Sequence, residues 1–74
     1  METGINIRNE STLHRQIKDW YAQEGDELEV FVAGFITDIR RGDLLIEIQT
    51  SGFGALKKKL ARLLPEYRMR IIYP

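Results

Sequence analysis

The sequence predicts an α/β (α+β) domain in which a mixed four-stranded sheet packs with two helices in the order αβββαβ. Apolar residues recur at helical spacing in two segments, residues 13–21 and 56–64. Apolar runs of strand length, rich in β-branched and aromatic residues, occupy four further segments. Glycine and proline residues lie at the boundaries between these segments. The predicted strands are residues 27–32, 35–40, 44–49 and 68–73.

The first helix is predicted from an apolar stripe and from the residues at its ends. Asn9 or Ser11 can cap its N-terminus, and Gly25 suits the position just after its C-terminus. Gly34 then separates the first strand from the second. The stripe consists of Leu13, Ile17, Trp20 and Tyr21.

The second and third strands form a β-hairpin around Arg41-Gly42-Asp43, which is a turn sequence. If Gly42-Asp43 is the two-residue turn, Asp38 lies directly opposite Glu47. If Arg41-Gly42 is the turn, Asp38 lies opposite Leu45 and diagonal to Glu47. Both registers bring the two acids to within about 5–8 Å on one face. That face carries Ile36, Asp38, Arg40, Leu45, Glu47 and Gln49, and the predicted core face carries Ile39, Leu44, Ile46 and Ile48.

The second helix follows the loop at residues 51–54 and ends at Pro65, which cannot continue a helix. A last strand comes after it. The strand–helix–strand unit predicts a right-handed crossover, so strands three and four are expected to be parallel or nearly adjacent in the same sheet. The apolar stripe of this helix is Leu56, Leu60, Leu63 and Leu64, with Lys57, Lys58, Lys59 and Arg62 away from it.

Length and composition limit the classes of protein. The 74 residues allow one domain, expected at residues 9–74 after an N-terminal tail at 1–8. So small a domain is marginally stable, which favours a homodimer. The absence of cysteine and the single histidine exclude a zinc site of Cys and His ligands. No export signal or membrane span is visible, so we expect a soluble cytoplasmic protein.

The paired acids indicate a metal site. Mg²⁺ prefers oxygen ligands and often needs only one or two carboxylates, so Asp38 and Glu47 suit Mg²⁺ or Mn²⁺. The backbone carbonyl of Ile48 can be a third ligand if the sheet does not use it. Gln49 can orient water or a phosphate. The alternative is that this face of the hairpin is polar because it is solvated.

The element order, together with Asp38 and Glu47-x-Gln49, resembles the PD-(D/E)xK nuclease superfamily. This is the restriction-endonuclease-like fold, which includes Holliday-junction resolvases, and the resemblance covers residues 9–74. It implies a Mg²⁺-dependent nuclease that hydrolyses DNA phosphodiester bonds, with structured or branched DNA among the candidate substrates. The alternative is a non-catalytic module on the same fold that binds nucleic acid or protein. A structural subunit with incidental acids is a third possibility.

The resemblance also assigns candidate roles to individual residues. Asp38 and Glu47 match the two metal-binding acids, and Glu10 matches an acid that the first helix contributes. Gln49 stands where the family carries its catalytic lysine, which leaves two lysines of the second helix, Lys57 and Lys58, as substitutes. Candidate DNA contacts are Arg40, Arg41, Lys57, Lys58, Lys59 and Arg62. For the four that lie on the second helix, a solvated helix face is the alternative.

Several remaining residues are expected to be structural. His14 is expected at the surface or at its boundary, with a catalytic part as the alternative. The aromatic side chains of Trp20, Tyr21 and Phe53 are expected in the core or at a dimer interface rather than as platforms for base stacking.

Overall fold

The predicted element order is confirmed. A computed structural model of the chain describes residues 12–50 and 52–73. The predicted boundaries agree with the observed ones to within a residue or two, except at the end of the first helix. The elements are α1 Thr12–Tyr21, β1 Glu27–Val32, β2 Phe35–Arg41, β3 Leu44–Ile48, α2 Gly54–Leu63 and β4 Arg68–Ile72.

The four strands form one mixed sheet with the order β1-β2-β3-β4. The β1–β2 and β2–β3 pairs are antiparallel, and β3–β4 is parallel. The chain needs a crossover to bring β4 alongside β3 in the same direction, and α2 supplies it, as the sequence predicts. The two edges of the sheet are therefore β1 and β4.

Gly42-Asp43 is the turn of the second hairpin. The β2–β3 ladder pairs Arg41 with Leu44 and Ile39 with Ile46. Gly42 has φ +62°, a left-handed conformation that costs glycine nothing. Of the two registers that the sequence allows, this one puts Asp38 directly opposite Glu47.

The first helix ends earlier than the sequence predicts. It stops at Tyr21, whose carbonyl accepts a hydrogen bond of 3.1 Å from Arg41 Nη2. Gly25, at φ +92°, therefore lies in the following turn and not at the helix end. The predicted caps Asn9 and Ser11 lie outside the described residues.

Both faces of the β2–β3 hairpin are buried, whereas the sequence predicts one core face. Ile39, Ile46 and Ile48 are buried as predicted. On the opposite face Leu45 is also fully buried and packs with Val32 and Leu63. The central strands are therefore covered on both sides, and the alternative of a solvated polar face is wrong.

The predicted apolar stripe of α1 does not face the core. Leu13 is 51% exposed and Trp20 is 85% exposed, whereas His14 and Lys18 are buried. The expectation that His14 lies at the surface or its boundary is therefore wrong. Of the two places expected for Trp20, the core or a dimer interface, the core is wrong. Tertiary contacts override the hydrophobic pattern of this helix, because its polar side chains find charged partners on the sheet. No helix in the described segments is long and apolar enough to span a bilayer.

Candidate functional site

The candidate site lies where β2 and β3 separate. Their ladder runs from Arg41↔Leu44 to Ile39↔Ile46, and Asp38 and Glu47 occupy the next position in register. In a regular ladder the amide of Ile48 would point towards the backbone of β2. Here it donates to Asp38 Oδ2 at 2.9 Å. The carboxylate of Asp38 thus takes a backbone position in the ladder, and the two strands fork at the acids.

Asp38 is fixed from two elements. Its Oδ2 accepts the Ile48 amide of β3 and lies 3.3 Å from His14 Nε2 of α1. The Asp38 side chain is 1% exposed, and that of His14 is 7% exposed. Because buried charges are retained only with hydrogen-bonding partners, these two contacts explain how Asp38 is tolerated in the interior.

Glu47 is paired with a lysine of α2. Lys59 Nζ lies 3.0 Å from Glu47 Oε1 and donates a second hydrogen bond of 2.8 Å to the carbonyl of Ile36. The Glu47 side chain is 4% exposed and that of Lys59 is 17% exposed. Lys59 therefore spans β2 and β3 from the helix above them and supplies a positive charge beside the two acids.

The ionisation of Glu47 depends on its surroundings. Burial raises the pKa of Glu47 to about 7, the charge of Lys59 opposes this shift, and the neighbouring Asp38 adds to it. A carboxyl with such a pKa carries a proton for much of the time near neutral pH. The site therefore combines a carboxyl that gains and loses its proton near neutral pH, a second acid and a lysine.

We expect the stability of the fold to decrease as pH rises from about 5 to 8. The folded pKa of Glu47 is about 7, above its ordinary 4.5. The folded protein thus retains a proton that the unfolded chain releases near pH 4.5. The free energy of unfolding should fall by about 3 kcal/mol through this window. Urea unfolding of Glu47→Gln across the same pH range should lack this component, and an identical pH profile in the variant would contradict the assignment.

A second polar contact attaches α1 to the sheet one turn beyond His14. Lys18 is buried and forms an ion pair with Glu29 of β1. Glu29 stands opposite Asp38 in the β1–β2 register and has φ +52°, a strained value for a residue other than glycine in a strand. The left-handed backbone at Glu29 and the fork at Asp38 therefore lie side by side, under α1.

The structure brings together only some of the predicted catalytic residues. Lys57 and Lys58 are exposed on α2. The lysine that pairs with Glu47 is the next residue, Lys59. The Gln49 side chain donates to the carbonyl of Gly52, within the loop that leads to α2. Glu10 lies outside the described residues.

The predicted DNA contacts lie in two places, the hairpin, which carries Arg40 and Arg41, and the helix α2. Arg41 is committed to the fold, since its guanidinium binds both carboxylate oxygens of Asp26, at 2.8 Å each. Arg40 lies over the ring of Tyr67, 5.4 Å from its centroid. Arg62 pairs with Glu66 on the exposed side of α2, and with Lys57 and Lys58 it leaves a basic helix surface beside the site.

Sequence reasoning placed Lys59 among the DNA contacts rather than beside the acids, and gave His14 a catalytic part only as the alternative. Spacing carries a signal for one of these two positions. Lys59 is three residues after Leu56 and four before Leu63, the two buried residues of α2. It therefore belongs to the apolar stripe rather than to the solvent face. For His14 no comparable signal exists, because the apolar stripe of α1 indicates a different buried face.

The residues present fit a divalent cation on one observation. Among the described residues, two buried side-chain oxygens lack any hydrogen-bond partner, Thr37 Oγ1 and Glu47 Oε2. A buried carboxylate oxygen without a donor suits a cation ligand. No three His, Asp or Glu side chains gather for a metal within residues 12–50 and 52–73. Asp38 and Glu47 are therefore the two carboxylates that a cation could use here, and Ile48 lies beyond the last β2–β3 pair, where its carbonyl could contribute.

Comparison with known proteins gives a family. The model of the family described as "Domain of unknown function (DUF8091)" matches residues 11–74. The chain belongs to this family. A protein of Treponema pallidum (strain Nichols), described as an uncharacterized protein, is 41% identical over 71 residues, which are 95% of this chain and 28% of that protein. The chain thus spans about a quarter of the length of this relative. No solved structure matches.

Proposed function

We propose that this domain is a Mg²⁺-dependent nuclease that hydrolyses DNA phosphodiester bonds. The observation that carries the proposal is the buried Asp38–Glu47 pair at the fork of two strands, with Lys59 against one of the acids. Acids are costly in an interior, and adjacent acids more so. A role for them in holding a cation gives a physical reason for this arrangement.

The chain's own residues have distinct parts in this proposal. Asp38, Glu47 and the Ile48 carbonyl would hold the ion, which when bound supplies a water of lowered pKa and neutralises charge on the phosphate. Lys59 could bind a phosphate oxygen after its ammonium group moves away from Glu47. The exposed basic side of α2, with Lys57 and Lys58, would hold the DNA backbone without reading its sequence. Structured or branched DNA as substrate and a cytoplasmic location are part of the same proposal.

A non-catalytic binding module is the second candidate, and the contacts of the acids favour it. His14 and Lys59 already satisfy one oxygen of each carboxylate. The Gln49 side chain donates a hydrogen bond to the loop carbonyl of Gly52. In this case the acids hold α1 and α2 on the sheet, and α2 alone contacts a partner.

A titration of the protein with Mg²⁺ and Mn²⁺, followed by residue-resolved NMR, tests the proposal. We expect shifts centred on the amides of Asp38, Glu47 and Ile48, together with a change at Lys59 as its contact is displaced. The Asp43→Asn variant is a matched control, because Asp43 is an exposed acid in the turn of the same hairpin. Shifts confined to exposed acids would overturn the metal site.

DNA binding separates the two candidates. Binding that strengthens with Mg²⁺ in the unaltered protein and not in Glu47→Gln supports the nuclease. Binding that is insensitive to Mg²⁺ but weakens linearly with the logarithm of salt concentration supports a phosphate-binding module.

A further inference from the structure

An exposed apolar surface lies on the side of α1 away from His14 and Lys18. A groove of about 480 Å³ runs between α1 and the end of the edge strand β4. Phe53 extends this surface, since its ring stacks at a tilt on Tyr73 with centroids 5.3 Å apart. We call this surface the α1–β4 face. It consists of Leu13, Gln16, Ile17, Trp20, Tyr21, Ile72 and Tyr73, which line the groove, together with Phe53.

The area of this face matches what a homodimer buries. Five of its side chains are between 37% and 85% exposed, which amounts to roughly 500 Å² of mostly apolar surface. A standard interface takes about 800 Å² from each partner, of which about 65% is apolar in homodimers. The exposed fractions are 51% for Leu13, 85% for Trp20, 37% for Tyr21, 49% for Phe53 and 61% for Tyr73.

The chemistry of the face selects a protein partner over a nucleic acid. None of the groove's lining residues is charged. Nucleic-acid affinity depends largely on cations that meet phosphates, so aromatic rings alone make a weak site for it. A surface rich in Trp and Tyr and depleted of charge is typical of the centre of a protein–protein interface.

We propose that the α1–β4 face is the interface of a two-fold homodimer. A two-fold interface has to be complementary to itself, because the same patch meets its own copy. This face carries a projecting side chain, Trp20, beside a groove large enough for an aromatic ring. In the dimer, Trp20 of each copy enters the groove of the other.

Dimerisation also secures the helix that carries His14. Within one chain, His14, Lys18 and the Tyr21 carbonyl attach α1 to the sheet by polar contacts. Its apolar residues Leu13 and Trp20 remain 51% and 85% exposed. The partner copy buries them, so α1 should exchange its amide hydrogens more slowly in the dimer than in the monomer.

Sedimentation and intrinsic fluorescence test the proposal. Trp20 is the only tryptophan of the chain and reports directly on this face. We expect a dimer at high protein concentration and a Trp emission that shifts to the blue as concentration rises. Trp20→Ala should weaken self-association by about thirtyfold or more, as expected for a central aromatic residue.

Phe31→Ala is the matched control, because Phe31 is 68% exposed but lies on β1, at the opposite edge of the sheet. Its self-association should equal that of the unaltered chain. If Trp20→Ala misfolds, disulfide cross-linking through a single introduced cysteine tests the interface instead, because the chain has no cysteine of its own. Gln16→Cys should give disulfide-linked dimers on oxidation, and Glu66→Cys should not.

Three results would overturn the proposal. A monomer at all concentrations with solvent-exposed Trp emission would mean that this face does not self-associate. A monomer with blue-shifted emission independent of concentration would mean that the face is covered within one chain. Equal effects of Trp20→Ala and Phe31→Ala on a dimer would place the interface elsewhere.

Discussion

Replacing Glu47 with Gln is expected to abolish Mg²⁺-dependent cleavage of DNA while the fold persists. The substitution keeps the size of the side chain and removes the charge that would face the ion. Loss of one group that stabilises transition-state charge commonly costs about a hundredfold to a thousandfold in rate. Asp38→Asn should act similarly. The assay is the conversion of supercoiled plasmid and of branched DNA in Mg²⁺ or Mn²⁺.

The control for this prediction is Asp43→Asn. Asp43 is exposed and pairs with Arg68 at 2.9 Å, on the surface, so its loss should leave both cleavage and stability nearly unchanged. Circular dichroism and urea unfolding would establish that each variant is folded. Full Mg²⁺-dependent cleavage by folded Glu47→Gln would refute the nuclease proposal.

Replacing Lys59 with Met is expected to destabilise the fold by about 3 kcal/mol at pH 8. The substitution removes the cation beside the buried carboxylate of Glu47, and breaking one side of a buried pair commonly costs about 3–5 kcal/mol. A domain of this size has a total stability of about 4–11 kcal/mol, so the effect is large. Urea unfolding at pH 8 measures it directly.

The same variant should be far less affected at pH 5. Because the folded pKa of Glu47 is about 7, its carboxyl is mostly protonated at pH 5 and leaves little charge unpaired. Glu47→Gln/Lys59→Met should regain most of the stability lost at pH 8, since neither partner then carries a charge. The exposed neighbour Lys58→Met should change stability by less than about 0.5 kcal/mol. A loss independent of pH, or no recovery in the double variant, would contradict the ion pair.

Local sequence features predicted most of the fold. The helix and strand segments follow from apolar periodicity, and their boundaries from glycine and proline. Of the two strand registers that the turn sequence allows, the structure has the one with Gly42-Asp43 as the turn, in which Asp38 and Glu47 lie opposite each other. These features depend on residues close in sequence, so the sequence carries them directly.

The orientation of α1 shows where such reasoning stops. Leu13 and Trp20 form an apolar stripe that predicts a buried face, yet the buried residues are His14 and Lys18. Their partners, Asp38 and Glu29, are 24 and 11 residues away in sequence. A helix that pairs its polar residues with acids on the sheet cannot be recognised from its own pattern, because those acids belong to other elements of the chain.

The sequence by itself determined the element order, the crossover to the last strand and the proximity of Asp38 and Glu47 on one face. Only the tertiary structure decided that these acids are buried, that Lys59 rather than Lys57 or Lys58 meets them, and that the apolar side of α1 faces outwards. Turns and periodicity act within a few residues. Burial and the pKa of Glu47 depend on everything packed around it, including a lysine from a helix on the far side of a loop.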